Sequence, residues 1–219
     1  MTREPSPEPD QPPPARARTF IEQARRDQIV RAAIETIADV GYAKASFARI
    51  AERAGISPGL ISYHFRSKDQ LLGQVVADVE AAMERAIVDA TEGAQTYMSA
   101  LRGMIETQIR YFGAHTNEIV ALGEIFSQAR GEPGVGQAAG ARRQGTLDEL
   151  EGMFREGQQE GEFRDFAPRP MAVALLAALE AMPSELLSTP DPDVEALADE
   201  LATLFEQATR RTRSRRRSR

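Results

Sequence analysis

An all-α chain of about nine helices is what this sequence predicts, and three observations carry the prediction. Apolar residues recur at helical spacing in window after window. No segment alternates apolar and polar residues for long enough to make a strand. Residues 46–72, SFARIAERAGISPGLISYHFRSKDQLL, hold two very short helices, a tight turn and the start of a third helix.

The elements follow in chain order. Prolines at positions 5, 7, 9, 12, 13 and 14 and a near absence of apolar side chains make residues 1–19 an expected disordered arm. The first helix is expected over 20–40, with Ile29, Ala33, Ile37 and Val40 on one face and Gly41 ending it. Ser46 caps the next, because a side-chain oxygen there accepts from a backbone N–H that has no partner in the helix. Phe47, Ile50, Ala51 and Ala54 give that short helix its apolar face, Gly55 supplies the positive φ of its exit, and Ile56 plugs the turn into the core.

Ser57 and Pro58 then form an N-cap and first-turn pair that opens a second short helix over 58–64. Ser67-Lys68-Asp69-Gln70 reads as a capping box in which Gln70 reaches back to the Ser67 backbone, opening a long helix over 68–92. Further helices are expected over 97–114, 118–130, 141–160, 168–187 and 194–210, with Pro183 kinking the next to last by removing the bond to Leu179. The Gly-x-Gly within 131–140, GEPGVGQAAG, follows no strand and lacks dinucleotide spacing, so it reads as a flexible connection.

Charge divides the chain. The net charge is −6, yet residues 20–70 carry eight basic and six acidic groups, residues 71–208 carry nine and twenty-four, and residues 209–219 carry seven arginines and no acid. The two ends are therefore the parts suited to phosphate, and the acidic middle keeps the rest of the molecule off a polyanion. There is no cysteine, so disulfides and thiolate metal sites are excluded. His64 and His115 are the only histidines, and no nucleophile–base spacing or metal-ligand cluster emerges, so an enzyme reading is poor and no cofactor is called for. No apolar run is expected to approach the length of a membrane span and no secretory signal is visible, which makes the cytoplasm the default and a membrane no partner.

The segments Ile50-Ala51-Glu52-Arg53-Ala54-Gly55-Ile56-Ser57, Gly59-Leu60-Ile61-Ser62-Tyr63-His64-Phe65 and Lys68-Asp69-Gln70-Leu71-Leu72 resemble the DNA-binding domain of the tetracycline-repressor (TetR) family of transcriptional regulators. The likeness covers the first third of the chain. Where many members carry two successive aromatics before the His-Phe pair, this chain has Ser62 and then Tyr63. The resemblance implies a three-helix helix-turn-helix domain over 20–67 and a helical effector-binding and dimerisation domain over 68–208, while the arginine-rich tail over 209–219 reads as a solvated disordered terminus or as a non-specific nucleic-acid contact. It further implies a ligand-responsive repressor that binds a palindromic operator in double-stranded DNA as a homodimer and is released by a small-molecule effector whose identity is open. The alternative is an architectural DNA-binding protein without an effector, with the tail coating or bridging DNA.

Tyr63, His64 and Lys68 are the expected phosphate contacts, the last beside free backbone N–H groups at a helix start. Pro58, Gly59, Leu60 and Ser62 are expected nearest the base edges, where Gly59 permits close approach and Leu60 suits a thymine methyl, and Ser57 is a further expected DNA contact. Ser46 and Arg49 are expected backbone contacts from the preceding helix. So short a recognition helix reads few base pairs, so two heads on half-sites at least about 34–36 Å apart are expected.

The last two helices supply the pairing surface, through Leu175, Leu179, Met182 and Leu186 on one and Val194, Leu197, Leu201, Leu204 and Phe205 on the other. Met98, Leu101, Ile105, Ile109 and Phe112 are expected to face Leu122, Ile125 and Phe126 across an effector cavity, with Leu147, Leu150, Phe154 and Leu176 completing the wall. Glu180 falls on a face with Val173, Leu176 and Leu187, where it neutralises a cationic ligand, pairs with an arginine of the other subunit or sits at a wet edge.

Overall fold

The first helix, α1 (Ala15–Val40), turns Ile29, Ala33 and Ile37 inward at helical spacing, all fully buried. It stands in a computed structural model that describes residues 15–129 and 133–211. The helix begins before residue 20, so part of the expected arm is helical; residues 1–14 and 212–219 lie outside the described residues, as do 130–132.

Gly41, at φ +78, ends α1 and leads into a single 3-10 turn over Tyr42–Lys44. Two short helices follow, α2 (Phe47–Ala54) and α3 (Pro58–His64), and then the long α4 (Lys68–Thr91). Gly55 takes the left-handed conformation between the short helices at φ +66, as the turn requires.

The body is built by α5 (Tyr97–Ala114), α6 (Thr116–Ala129), α7 (Pro133–Gln159), α8 (Pro168–Ser188) and α9 (Val194–Thr209). Among the described residues there are nine α-helices and no strand, only one isolated antiparallel bridge between Phe163 and Arg210. The connection expected over 131–140 is corrected from Pro133 onward, where α7 has already begun. Proline at the first position of a helix loses nothing, and each glycine in an exposed turn costs only about 1 kcal/mol against alanine.

Two apolar cores organise the molecule. The first joins α1, Ile50, Ile61, Phe65 and the first half of α4 to Tyr111 and Phe112 of α5 and to Ile119, Ala121 and Ile125 of α6. The boundary expected at residue 67 therefore falls inside a shared core. The second holds Leu101, Ile105 and Ile109 of α5 against Leu147, Leu150 and Phe154 of α7, Leu175, Leu176 and Leu179 of α8 and Ala198, Ala202 and Phe205 of α9. Each such aliphatic or aromatic side chain, fully buried, contributes about 1.5–3 kcal/mol. Along its outer edge α5 is tied to α9 by Arg110, which meets Glu195 at 2.8 Å, and by Arg102, which meets Asp199 and Glu206.

Helix α8 corrects another expectation: by length and composition it is apolar enough to cross a membrane. In this fold its inner face, Ala172, Leu175, Leu176 and Leu179, is core. Alanine and leucine supply the apolarity on both faces, which is why Val173 and Leu187 remain exposed on the outside.

Candidate nucleic-acid interface

Three serine-capped helix starts meet in the head. The Ser46 hydroxyl accepts from the Arg49 N–H at 3.4 Å, Ser57 from Leu60 at 3.3 Å and Ser67 from Gln70 at 3.1 Å. The expected return contact is shifted by one residue: the Gln70 side chain accepts the Arg66 N–H at 2.8 Å, not that of Ser67. The cap residue's φ of −148 turns its N–H away, and the neighbouring amide takes the acceptor.

Helix α3 has two unlike faces. Ile61 and, just past the helix end, Phe65 are fully buried, which seats the helix on α1 and α4. Pro58, Gly59, Ser62 and Tyr63 face outward, Tyr63 at 73% exposure, while Leu60 and His64 are half-buried. Ser57, Ser46 and Arg49 are exposed beside them. The Ser62 hydroxyl donates to the Pro58 carbonyl at 3.3 Å. An exposed tyrosine of this size on a helix anchored by two buried neighbours is a side chain the fold itself leaves unused.

His64 is held from behind. Arg26 of α1 donates to the His64 carbonyl at 2.9 Å and to Gln74 at 3.0 Å, with its guanidinium 4.4 Å over the Phe65 ring. The His64 imidazole meets the Tyr63 ring edge-on at 5.1 Å. Burial, and then the Arg26 charge, push the imidazole below its ordinary value, which favours the neutral ring.

Lys68, an expected phosphate contact, has an intramolecular partner as well. Its ammonium donates to the Tyr42 carbonyl at 2.6 Å and sits 4.1 Å over the Tyr42 ring, and burial lowers its pKa. The partner lies 26 residues away in sequence, which is why local spacing missed it. Two hydrogens of the ammonium remain for another acceptor. Lys44 and Arg66, both exposed, flank the capped starts of α2 and α4 and went unnoticed; a basic residue within two positions of a serine cap is the signal that finds them.

The expected effector wall does not form one cavity. Leu101, Ile105, Ile109, Phe154 and Leu176 pack tightly in the second core with Met98 against it, whereas Phe112, Leu122 and Phe126 belong to the first. Helical spacing gives a face but not the neighbour that covers it, and α5 is long enough to serve both cores. A cleft of about 240 Å³ does lie at the end of α5 nearest the head, lined by Phe112, Thr116, Ile119, Pro183, Leu187 and Val194 among others, and of the expected residues it uses Phe112. Glu180 is exposed at the edge of α8, where it accepts two bonds from Arg143 of α7, at 3.0 and 3.3 Å.

The pairing stripes are likewise taken largely inside the subunit. Leu175, Leu179 and Phe205 are buried, and Met182, Leu186, Val194, Leu197 and Leu201 are partly buried against the two cores. Leu204 alone of the nine is strongly exposed, at 58%, alongside Val173 and Leu187 of α8.

A short outward helix seated on two others, all three starts capped by serine and the two neighbouring starts flanked by cations, is a helix-turn-helix arrangement. Residues 29–75 match the family described as bacterial regulatory proteins, tetR family. The transcriptional regulator BetI 1 of Chromohalobacter salexigens is 40% identical over 85 residues, which are 37% of this chain and 42% of that protein. BetI of Stenotrophomonas maltophilia is 34% identical over 85 residues, 37% of this chain and 43% of its own length. The match thus spans about two fifths of these relatives.

Solved structures extend the likeness to the whole fold. A transcriptional regulator from Saccharomonospora viridis, in complex with choline, superposes with a TM-score of 0.75 at 22% identity, covering 87% of this chain and all of the other. The fatty acid degradation regulator FadR of Bacillus halodurans gives 0.73 at 20% identity, covering 89% and 97%.

Proposed function

We propose that this protein is a site-specific regulator of transcription that binds a palindromic operator as a homodimer in the cytoplasm and is released by a small-molecule effector. The observation that carries the reading is α3: a recognition helix with Tyr63 fully presented and Ile61 and Phe65 locked beneath it. Tyr63, His64, Lys68, Ser46 and Arg49 contact phosphates and Pro58, Gly59, Leu60 and Ser62 lie at base edges, with Lys44 and Arg66 adding charge.

Pairing uses the outer faces of α8 and α9. Val173, Ala177, Ala181 and Leu187 fall on the exposed side of α8, and Leu204 on that of α9. Small residues between the larger ones allow two such helices to approach closely across a two-fold axis.

Effector release is supported by the position of α6. Its first turn lines the cleft through Thr116 and Ile119, its middle is packed in the head core, and its Glu124 accepts the Tyr42 N–H whose carbonyl holds Lys68. A molecule that prefers the cleft widened moves α6 against the head, and only that differential affinity can shift DNA binding.

Selection of duplexes from a random pool at two salt concentrations tests the reading. One enriched palindrome, with protection of both half-sites, is expected. Enrichment of nothing, or of a single unpaired half-site, overturns it.

A further inference from the structure

The cleft at the head end of α5 has the size of one small molecule. Its volume of about 240 Å³ equals that of about eight waters at roughly 30 Å³ each, which is room for a compound of about eight to ten non-hydrogen atoms. A peptide helix, about 10 Å across, is too large for it. Phe112 and Ile119 form the wall toward the head, and both belong to the first core. Pro183 and Leu186 of α8 form a second wall and Val194, at the start of α9, a third. Gly113 holds these walls together: a side chain on it would begin 2.8 Å from Val194, so glycine lets α9 start directly against α5. Leu187, a lining residue that is 50% exposed, marks the mouth.

The chemistry of the lining is one-sided. Among the described residues that line the cleft none carries a charge, and Thr116 alone has a polar side chain. The two prolines of the wall have no N–H to offer. The Thr116 hydroxyl donates to the Gly113 carbonyl at 3.3 Å, a long bond that a closer acceptor can displace.

Charged groups do stand beside the lining residues in sequence, but each is engaged. Glu118 accepts the Tyr111 hydroxyl at 2.6 Å, Asp193 accepts the Ala196 N–H at 2.9 Å and Glu195 is held by Arg110 at 2.8 Å. His115, next to Thr116, is stacked on the Tyr111 ring at 4.0 Å. An ion entering the cleft would leave its hydration behind and find no counter-charge, which is costly for either sign.

We propose that this cleft takes an uncharged, largely apolar molecule that carries one hydroxyl or carbonyl group, an assignment that rests on the reading of the cleft as the effector site. The polar group meets the Thr116 hydroxyl. The apolar part lies against Phe112, Ile119 and Leu186 and is covered at the mouth by Leu187. Because Phe112 and Ile119 are also core residues of the head, the occupant touches the part of the molecule that seats the DNA-binding helices.

The test uses the full chain and three probes that share one ring and differ in charge: cyclohexylmethanol, cyclohexylmethylammonium and cyclohexanecarboxylate. Binding is read from the methyl resonances of Ile119 and Val194 during titration. The alcohol is expected to shift both in a saturable way, and the two ions to bind at least about tenfold more weakly. Thr116→Val, which keeps the shape and removes the hydroxyl, should weaken the alcohol about threefold to tenfold. Thr116→Asp sets a carboxylate in the first turn of α6, where the helix dipole tolerates it, and should make the ammonium probe the tightest of the three.

An ion that binds the native chain as tightly as the alcohol overturns the proposal. So does an alcohol that saturates neither resonance, or an order of affinities that Thr116→Asp leaves unchanged. The effector reading is scored separately, by the anisotropy of an operator duplex with the alcohol at saturation. Unchanged DNA affinity there removes the effector role and leaves the ligand class supported by the titrations.

Discussion

The Glu124 carboxylate on α6 accepts the Tyr42 backbone N–H at 3.0 Å, and this bond joins α6 to the turn that leads into α2 and α3. The same oxygen stands 3.3 Å from where a side chain on Gly41 would begin, at a residue whose φ of +78 already disfavours one. On the other side of the same residue, the Tyr42 carbonyl accepts from the Lys68 ammonium. The backbone of one residue is therefore gripped on both its N–H and its carbonyl.

Removing that grip has a defined cost. Glu124→Ala leaves the half-buried Tyr42 N–H without its charged acceptor and should lower stability by about 1–3 kcal/mol, while Glu124→Gln, which keeps an acceptor, should lose less than half of that. Chemical denaturation of the three proteins measures it. Gly41→Ala should destabilise by about 1–2 kcal/mol from its backbone alone, and its cost should shrink in the Glu124→Ala background because the two share one contact. Strictly additive losses would remove the idea that the pair acts as a unit.

Tyr63→Ala separates binding from folding. With the ring exposed, denaturation midpoints should move by no more than about 0.5 kcal/mol. Affinity for the selected duplex, read by fluorescence anisotropy, should fall about tenfold or more for loss of roughly 1.5–3 kcal/mol of contact. Ile61→Ala, by contrast, should cost about 2–5 kcal/mol of stability, because it empties a fully buried site. A Tyr63→Ala protein that binds normally excludes the assigned face of α3.

His64 makes the head sensitive to acid. Its folded pKa is depressed, so the unfolded chain binds the proton more readily; its contribution to stability is intact above the ordinary imidazole value of 6.5 and is lost as pH falls through that value. DNA reverses the sign, because phosphate stabilises the charged ring. Affinity should rise as pH drops below about 6.5 while the stability of the free protein declines. In His64→Gln both trends should flatten, as anisotropy and thermal melts across the pH range would record.

The head was legible because its signals are local. Ser46, Ser57 and Ser67 each cap a helix within three residues of themselves, and Gly55 takes its positive φ for reasons contained in one turn. Helix α5 begins and ends where its spacing indicated. What escaped was set at a distance. Lys68 is drawn to a carbonyl 26 residues back, Glu180 to an arginine 37 residues back, and neither partner shares a helix with it. The expected effector wall divides for a related reason, since Ile109 and Phe112 sit three residues apart on α5 yet enter different cores.

The pairing surface gives the last prediction, because exposure divides residues that spacing had grouped together. Leu175 is fully buried on α8 and Leu204 is 58% exposed on α9, although both were assigned to pairing stripes. Leu175→Ala should therefore cost about 2–5 kcal/mol of folding stability through the cavity it leaves. Leu204→Glu should cost the isolated subunit little, since its side chain already stands in water, but a carboxylate facing its symmetry mate across a two-fold axis meets its own like charge and loses apolar contact twice. Sedimentation should show the native chain as a dimer and Leu204→Glu as a folded monomer, with operator affinity reduced together with dimerisation. A Leu204→Glu protein that remains dimeric would move the interface off this face, and the spacing of the two recognition helices would then be set by other surfaces.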